Sequence, residues 1–227
     1  MQWPRAGNVD WGALRRLTPV SPIFGIDRGQ AIDRYYIERF LDQNRSDIRG
    51  RVLEMGDATY TKKFGGSQVS RSDVLHVVEG NPDATIVGDL TDAAHIPSDQ
   101  FDCIVFTQSL QMIYDHKAAL GTLYRILRPN GVLLLTASGI TKVARRLGKD
   151  DWGEYWRFTT QGLEKVFEET FEGSDVEVQS WGNVLSATAY LHGLAVAELT
   201  EGELDHSDPD FEVIVSARAQ KPAEPPS

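Results

Sequence analysis

Short apolar runs, separated by turns of acidic and small polar residues, set the rhythm of this chain. Residues 52–55, 74–78, 85–87, 102–106 and 132–136 are such runs, and each reads as a strand. Their apolar residues are consecutive, so both faces are buried, which predicts a parallel sheet covered by helices. Ahead of the first strand, Ile32, Tyr36, Phe40 and Leu41 fall near helical spacing within residues 28–42. Residues 117–127 supply a crossover helix through Ala118, Leu123, Ile126 and Leu127, and the Arg128-Pro129-Asn130-Gly131 sequence stops it and turns the chain into the next strand. Further on, residues 160–171 read as a helix with Leu163, Val166, Phe167 and Phe171 inward. Residues 176–179 read as a strand, 184–199 as an unusually apolar helix, and 211–218 as an alternating final strand.

This pattern gives one domain over residues 28–220. Residues 1–27 carry Pro4, Pro19 and Pro22 with little periodicity, which predicts an arm packed over the sheet. Residues 221–227 have nothing to bury and are expected to be disordered. A chain of 227 residues with 41% hydrophobic content suits a single well-buried unit.

Charge and cysteine content narrow the function. The 33 acidic residues outnumber the 23 basic ones, and the net charge of -10 repels phosphate backbones and anionic lipid, so neither nucleic acid nor membrane is an expected partner. No stretch approaches the roughly 18 apolar residues of a membrane span, and no signal-peptide pattern opens the chain, which predicts a cytoplasmic protein. Cys103 is the only cysteine and lies in an apolar run, as a small buried hydrophobe does. His76, His95, His116, His192 and His206 are scattered without paired ligand spacing, so no metal is expected.

The chemistry gathers where the strands end. Strand-to-helix turns of an open α/β sheet converge there and present backbone N–H groups and short polar side chains to a ligand. The first run closes on Glu54-Met55-Gly56-Asp57, the second on Glu79-Gly80-Asn81, the third on Gly88-Asp89-Leu90 and the fourth on Thr107-Gln108. Together with Leu123-Tyr124-Arg125-Ile126-Leu127 and the Arg128-Pro129-Asn130-Gly131 that follows, this series resembles the class I S-adenosylmethionine-dependent methyltransferases of the bacterial small-molecule type.

The resemblance implies a Rossmann-like, doubly wound α/β fold. Its sheet has about seven strands, mostly parallel with an antiparallel last strand, and helices cover both faces. It also implies S-adenosyl-L-methionine as cofactor, held by Glu54, Gly56, Asp57, Tyr60, Thr61, Glu79, Asp89, Leu90, Thr107 and Gln108. Asp89 matches the family's aspartate that faces the adenine amine, and Leu90 packs on that ring. Glu79 is the expected ribose acceptor, with His76 as a less orthodox substitute. The family's glycine-rich turn is here Gly56-Asp57-Ala58-Thr59-Tyr60, so side chains stand where later glycines are usual.

For catalysis the candidates are His116, as a base titrating near neutrality, with Tyr35 and Gln108. His116 has a competing reading as a surface residue at a helix start, with Asp115 as the cap. Tyr36 and the aromatic cluster Trp152, Tyr155 and Trp156, with Arg157, are expected around the methyl acceptor; Arg28 and Arg34 suit an anionic group. The expected activity is methyl transfer to an oxygen or nitrogen of a small molecule: a sugar, a nucleoside or a specialised metabolite of natural product biosynthesis. A non-catalytic methyltransferase-fold regulator or assembly partner is the alternative, motivated by the eroded glycine motif and the apolar residues 183–199. The sequence leaves a homodimer open.

Overall fold

The computed structural model describes residues 3–144 and 153–223. Its strands are β1 (Gly50–Met55), β2 (Val69–His76), β3 (Ile86–Val87), β4 (Phe101–Thr107), β5 (Leu127–Ser138), β6 (Asp175–Trp181) and β7 (Ile214–Gln220). Its helices are α1 (Ile32–Gln43), α2 (His116–Ile126), α3 (Thr160–Thr170), α4 (Val184–His192) and α5 (Glu201–Asp205). The strands form one seven-stranded sheet in the order β3-β2-β1-β4-β5-β7-β6. Pairings among β1 to β5 are parallel, while β7 runs antiparallel to both β5 and β6. This is the Rossmann-like arrangement expected from the sequence, with its antiparallel last strand. The strand order reverses at β1 and β4, and open sheets hold ligands beyond such a switch point.

Each central strand serves two cores. Leu53, Leu75, Ile104, Phe106, Leu133 and Leu135 pack against Ala119, Leu120 and Leu123 of α2 and Leu163 and Phe167 of α3. On the opposite face Val52, Cys103, Val105, Val132 and Leu134 meet Ile32, Tyr36, Ile37 and Phe40 of α1 and Ala187 and Tyr190 of α4. Burial on both faces is the physical reason for the unbroken apolar runs. It also pushes the Cys103 thiol up, well away from reactivity at neutral pH.

Helix ends are fixed by side chains. Asp115 accepts the Ala118 N–H at 3.0 Å and Thr159 accepts that of Gly162 at 3.1 Å. Asn183 caps α4 through the Leu185 and Ser186 amides, and its own amide reaches the carbonyls of Glu203 and His206, both at 2.7 Å. Because Asn183 is buried and ties α4 to α5, Asn183→Ala is expected to cost about 2 kcal/mol. Thermal melts should show Tm lower by roughly 4–8 °C; a change within about 1 °C contradicts this role.

Several strands start or stop a few residues from the sequence expectation, β2 at 69–76 rather than 74–78 and β5 at 127–138 rather than 132–136, and three further differences change the picture. The apolar stretch 184–199 is not one helix: α4 stops at His192 because Gly193 takes φ 70° and closes it with a left-handed cap. Between β1 and β2 a helical turn over Thr61–Gly65 forms without apolar periodicity. Lys221, assigned to the tail by composition, is tied to the sheet, its backbone N–H on Gly131 and its ammonium on Asp99 and Leu127. In the arm before α1, residues 3–12 are exposed, and the Val20 and Ser21 amides donate to the His192 carbonyl at the end of α4. Among the described residues no helix is long and apolar enough to cross a membrane, and no group of His, Cys, Asp and Glu is arranged to hold a metal.

Candidate active site

A cavity of about 670 Å³ opens at the carboxyl ends of β1 to β4. Its walls come from the turns after those strands, from α1 and the arm before it, from α4, and from the segments around residues 141–144 and 154–155. It lies at the topological switch point, where sheet geometry predicts a ligand.

The turn after β1 builds one side. Gly56 has φ 83°, and a Cβ placed there would meet nothing within 4 Å, so the cavity reaches the backbone itself. The turn is held from behind. Buried Glu54 accepts the amides of Tyr60 at 3.0 Å and Thr61 at 2.7 Å, Asp57 accepts that of Thr59 at 2.7 Å, and Asn81 donates to the Gly56 carbonyl at 2.6 Å. Burial raises the Glu54 pKa, while the two amides favour the ionised form. Glu54, Asp57, Tyr60 and Thr61 therefore shape the turn rather than line the cavity. Short polar side chains do here, through backbone contacts, what further glycines do elsewhere.

At the ends of β2 and β3 the lining residues are His76, Val77, Gly88, Asp89 and Leu90. Asp89 Oδ1 accepts the Thr91 amide at 2.9 Å and the Thr91 hydroxyl at 2.8 Å, and Oδ2 takes part in neither bond. Leu90 is buried and offers an apolar face. Glu79 lies beyond β2, exposed and outside the lining, because the strand ends at His76 and the chain turns away before reaching it. The position that faces the cavity there is His76.

After β4 the chain is strained toward the cavity. Gln108 has φ 49°, a left-handed conformation that a residue with a side chain adopts at a cost of about 1–3 kcal/mol. Its Oε1 accepts from Ser138 at 2.6 Å and from Gln111 at 3.0 Å. Gln108 Nε2, Gln111 Oε1 and Thr141 Oγ1 are buried and have no hydrogen-bond partner among the described residues. All three residues line the same space. Thr107 precedes this turn and does not line it.

The expected acceptor residues divide. Tyr155 lines the cavity, about half exposed, with its ring edge-on to Tyr114 at 5.4 Å. Trp156 stands behind, stacked on Tyr114, with its indole N–H on the Ile113 and Tyr114 carbonyls at 3.1 and 3.2 Å. Arg157 pairs with Glu154 at 2.9 Å, and it is Glu154 that lines the cavity. Trp152 lies outside the described residues.

The structure places two of the three catalytic candidates elsewhere. His116 begins α2 with its ring edge-on to Trp156 and Phe158, behind the aromatic wall, because Asp115 fixes the helix start there. Tyr35 donates to Asp205 at 2.6 Å, and burial with this neighbour pushes its hydroxyl pKa up to about 12. Tyr36 donates to the Leu204 carbonyl at 3.1 Å and belongs to a separate small cavity near α5. Of the arginines, Arg28 is paired with Glu198, whereas Arg34 lines the main cavity and donates to the Tyr60 hydroxyl at 3.0 Å. Asp33, Phe24, Lys142 and Tyr190 also line the cavity and escaped the sequence reading.

Comparison with known proteins agrees with this geometry. A family model described as a methyltransferase domain matches residues 28–173. No curated protein sequence matches the chain. Among solved structures, an S-adenosylmethionine-dependent methyltransferase from Mesorhizobium loti is 17% identical, with a TM-score of 0.54 over 86% of this chain and 99% of that one. The DhpI–SAH complex is 15% identical, with a TM-score of 0.54 over 85% and 87% of the two chains. The [4+2]-cyclase SpnF is 20% identical, with a TM-score of 0.53 over 82% and 81%. At these identities the likeness is one of fold.

Proposed function

The chain belongs to the methyltransferase-domain family, and from that premise we propose that it uses S-adenosylmethionine to methylate an oxygen or nitrogen of a small molecule. The observation that carries this reading is one cavity at the strand ends lined together by an open glycine backbone, an aspartate, a buried leucine and the polar residues Gln108, Gln111 and Thr141.

When bound, S-adenosylmethionine supplies an electrophilic methyl group on a sulfonium sulfur. Gly56 gives its amino-acid end backbone access, Asp89 Oδ2 suits the adenine amine, Leu90 suits the ring face, and Gln108 adds an amide N–H. Methyl transfer is an in-line displacement, so the protein contributes chiefly alignment and the exclusion of water. Phe24 and Ile26 from the arm and Tyr114 and Tyr155 opposite are apolar surfaces suited to that exclusion. The cavity volume lies within the roughly 300–1,000 Å³ usual for small-molecule sites, which supports a small acceptor. In this reading the enzyme works in the cytoplasm on a specialised metabolite.

The name of SpnF, a [4+2]-cyclase on this fold, favours keeping a second reading, a scaffold that transfers no methyl group and serves as regulator or assembly partner. Calorimetry with S-adenosylhomocysteine should give saturable heat. Incubating hydroxylated and amino metabolites with methyl-tritiated S-adenosylmethionine should label at least one product. Heat without any labelled product favours the second reading, and absence of heat at saturating ligand removes the proposal.

A further inference from the structure

Two ionisable groups on the cavity wall stand outside the set assigned to the donor above. Asp33, in the first turn of α1, is 8% exposed, and Tyr190 of α4 is 3% exposed. Asp33 Oδ1 accepts the Arg34 amide at 2.8 Å. Among the described residues Asp33 forms no ion pair, since the Arg34 guanidinium is turned to the Tyr60 hydroxyl. Tyr190 packs its ring on Phe24 at 5.8 Å. The Tyr190 hydroxyl faces both the Asp33 carboxylate and the Thr141 hydroxyl, which lies on the same wall. An acid, a phenol and an alcohol from three separate elements thus share one surface of the cavity, and one oxygen of the acid also holds the first turn of α1.

We propose that Asp33 is the proton acceptor for a hydroxyl group of the methyl acceptor, with Tyr190 and Thr141 as positioning residues. The proposal rests on the methyl-transfer reading and deepens it to oxygen as the attacked atom. A hydroxyl oxygen keeps a second lone pair to accept from a positioning group while the first attacks and its proton goes to the carboxylate, whereas the free amine that attacks spends its single lone pair on the methyl. As an oxygen lone pair forms the new O–CH3 bond and the S–CH3 bond breaks, the O–H proton passes to Asp33. The products are a methyl ether, a neutral thioether and a carboxylic acid that returns its proton to water.

The groups facing Asp33 are Arg34 on its own helix, Tyr60 after β1 and Tyr190 on α4. Burial raises the Asp33 pKa more than Arg34, the first-turn amides and the Tyr190 hydroxyl lower it. Tyr190 is raised by burial and by the Asp33 charge, so it stays a neutral donor. Turnover needs the ionised carboxylate, and it should fall as pH drops through a value above the ordinary carboxylate range.

The test combines three readouts. Carboxylate carbon NMR of the wild-type protein with S-adenosylhomocysteine should show Asp33 titrating above the usual 3.9 or so. Asp33→Asn should lower kcat on any labelled hydroxyl substrate by about 10²–10⁴-fold and remove the acidic limb, with partial rescue in Asp33→Glu. Calorimetry should find S-adenosylhomocysteine bound about equally by wild type and variant, within roughly twofold. An Asp33 that titrates at or below the ordinary value overturns the proposal, acceptor or no acceptor. So does turnover in Asp33→Asn within about threefold of wild type at all pH values. If the wild type itself fails to bind S-adenosylhomocysteine, the methyl-transfer reading fails instead.

Discussion

Gly56→Val is expected to weaken binding of S-adenosylhomocysteine by at least about 100-fold, a loss near 2.7 kcal/mol, while the chain still folds. Gly56 lines the cavity, and nothing stands within 4 Å of the Cβ position, so the added side chain projects into ligand space. Its φ of 83° adds a strain of about 1–2 kcal/mol for a residue with a Cβ, which lowers stability without explaining lost binding. Gly66 separates the two effects. It also has positive φ and open space, at 52°, but lies off the cavity, so Gly66→Val should lose stability and keep the ligand. Calorimetry on both variants checks this, and equal affinities in the two would show that the space beside Gly56 is not where the ligand sits.

The largest effect on stability is expected from Asp73→Ala. Asp73 is buried on β2, yet it accepts from Arg51 of β1 at 2.7 Å, from Arg71 at 3.1 Å and from the Thr85 hydroxyl at 3.1 Å. Arg71 is mostly exposed and adds little. Arg51 is mostly buried, lies over the Phe101 ring at 4.8 Å and is shared with Gln100. Removing the carboxylate leaves that cation uncompensated at a cost of about 3 kcal/mol, or roughly 6–12 °C in Tm.

Burial acts against ionisation of Asp73, but the bonds from Arg51, Arg71 and Thr85 outweigh it, and its pKa lies below the ordinary value. An acid held down in this way stabilises the fold fully above its unfolded pKa of about 3.9, and the contribution fades as pH falls through the folded value. Melts from acid to neutral pH should therefore converge for wild type and variant at the acid end. A constant difference across that range would contradict the assignment.

How much of this was legible follows from what a sequence encodes locally. Strands buried on both faces write unbroken apolar runs, which is why β1, β4 and β5 were evident, as was the reach of the Asp115 cap into α2. The sheet order and its antiparallel β7 came through resemblance to a family, since no single run records its neighbour. Gly56, Asp89, Leu90 and Gln108 were named through the family resemblance at the ends of strands, and all four line one cavity.

The wall opposite was not found in this way, because Phe24, Asp33, Lys142 and Tyr190 are remote in sequence and meet only in the fold. Within α1 the two tyrosines drew attention, yet Tyr36 faces the core and Tyr35 faces α5. A signal for Asp33 was present: an acid four residues before Ile37 and seven before Phe40 lies on the buried stripe, and a buried charge is more informative than an aromatic there. Glu79 stands outside the cavity lining because β2 stops at His76, and an acid's place in sequence order after a strand does not record where the strand stops.

S-adenosylmethionine is expected to sit in the cavity beside Gly56, Asp89 and Gln108. A crystal structure with S-adenosylhomocysteine tests this directly. The adenine is expected against Leu90 with its amine on Asp89, and the amino-acid end beside Gly56. Ligand bound at another place, or a cavity that stays closed by protein at saturating ligand, contradicts it.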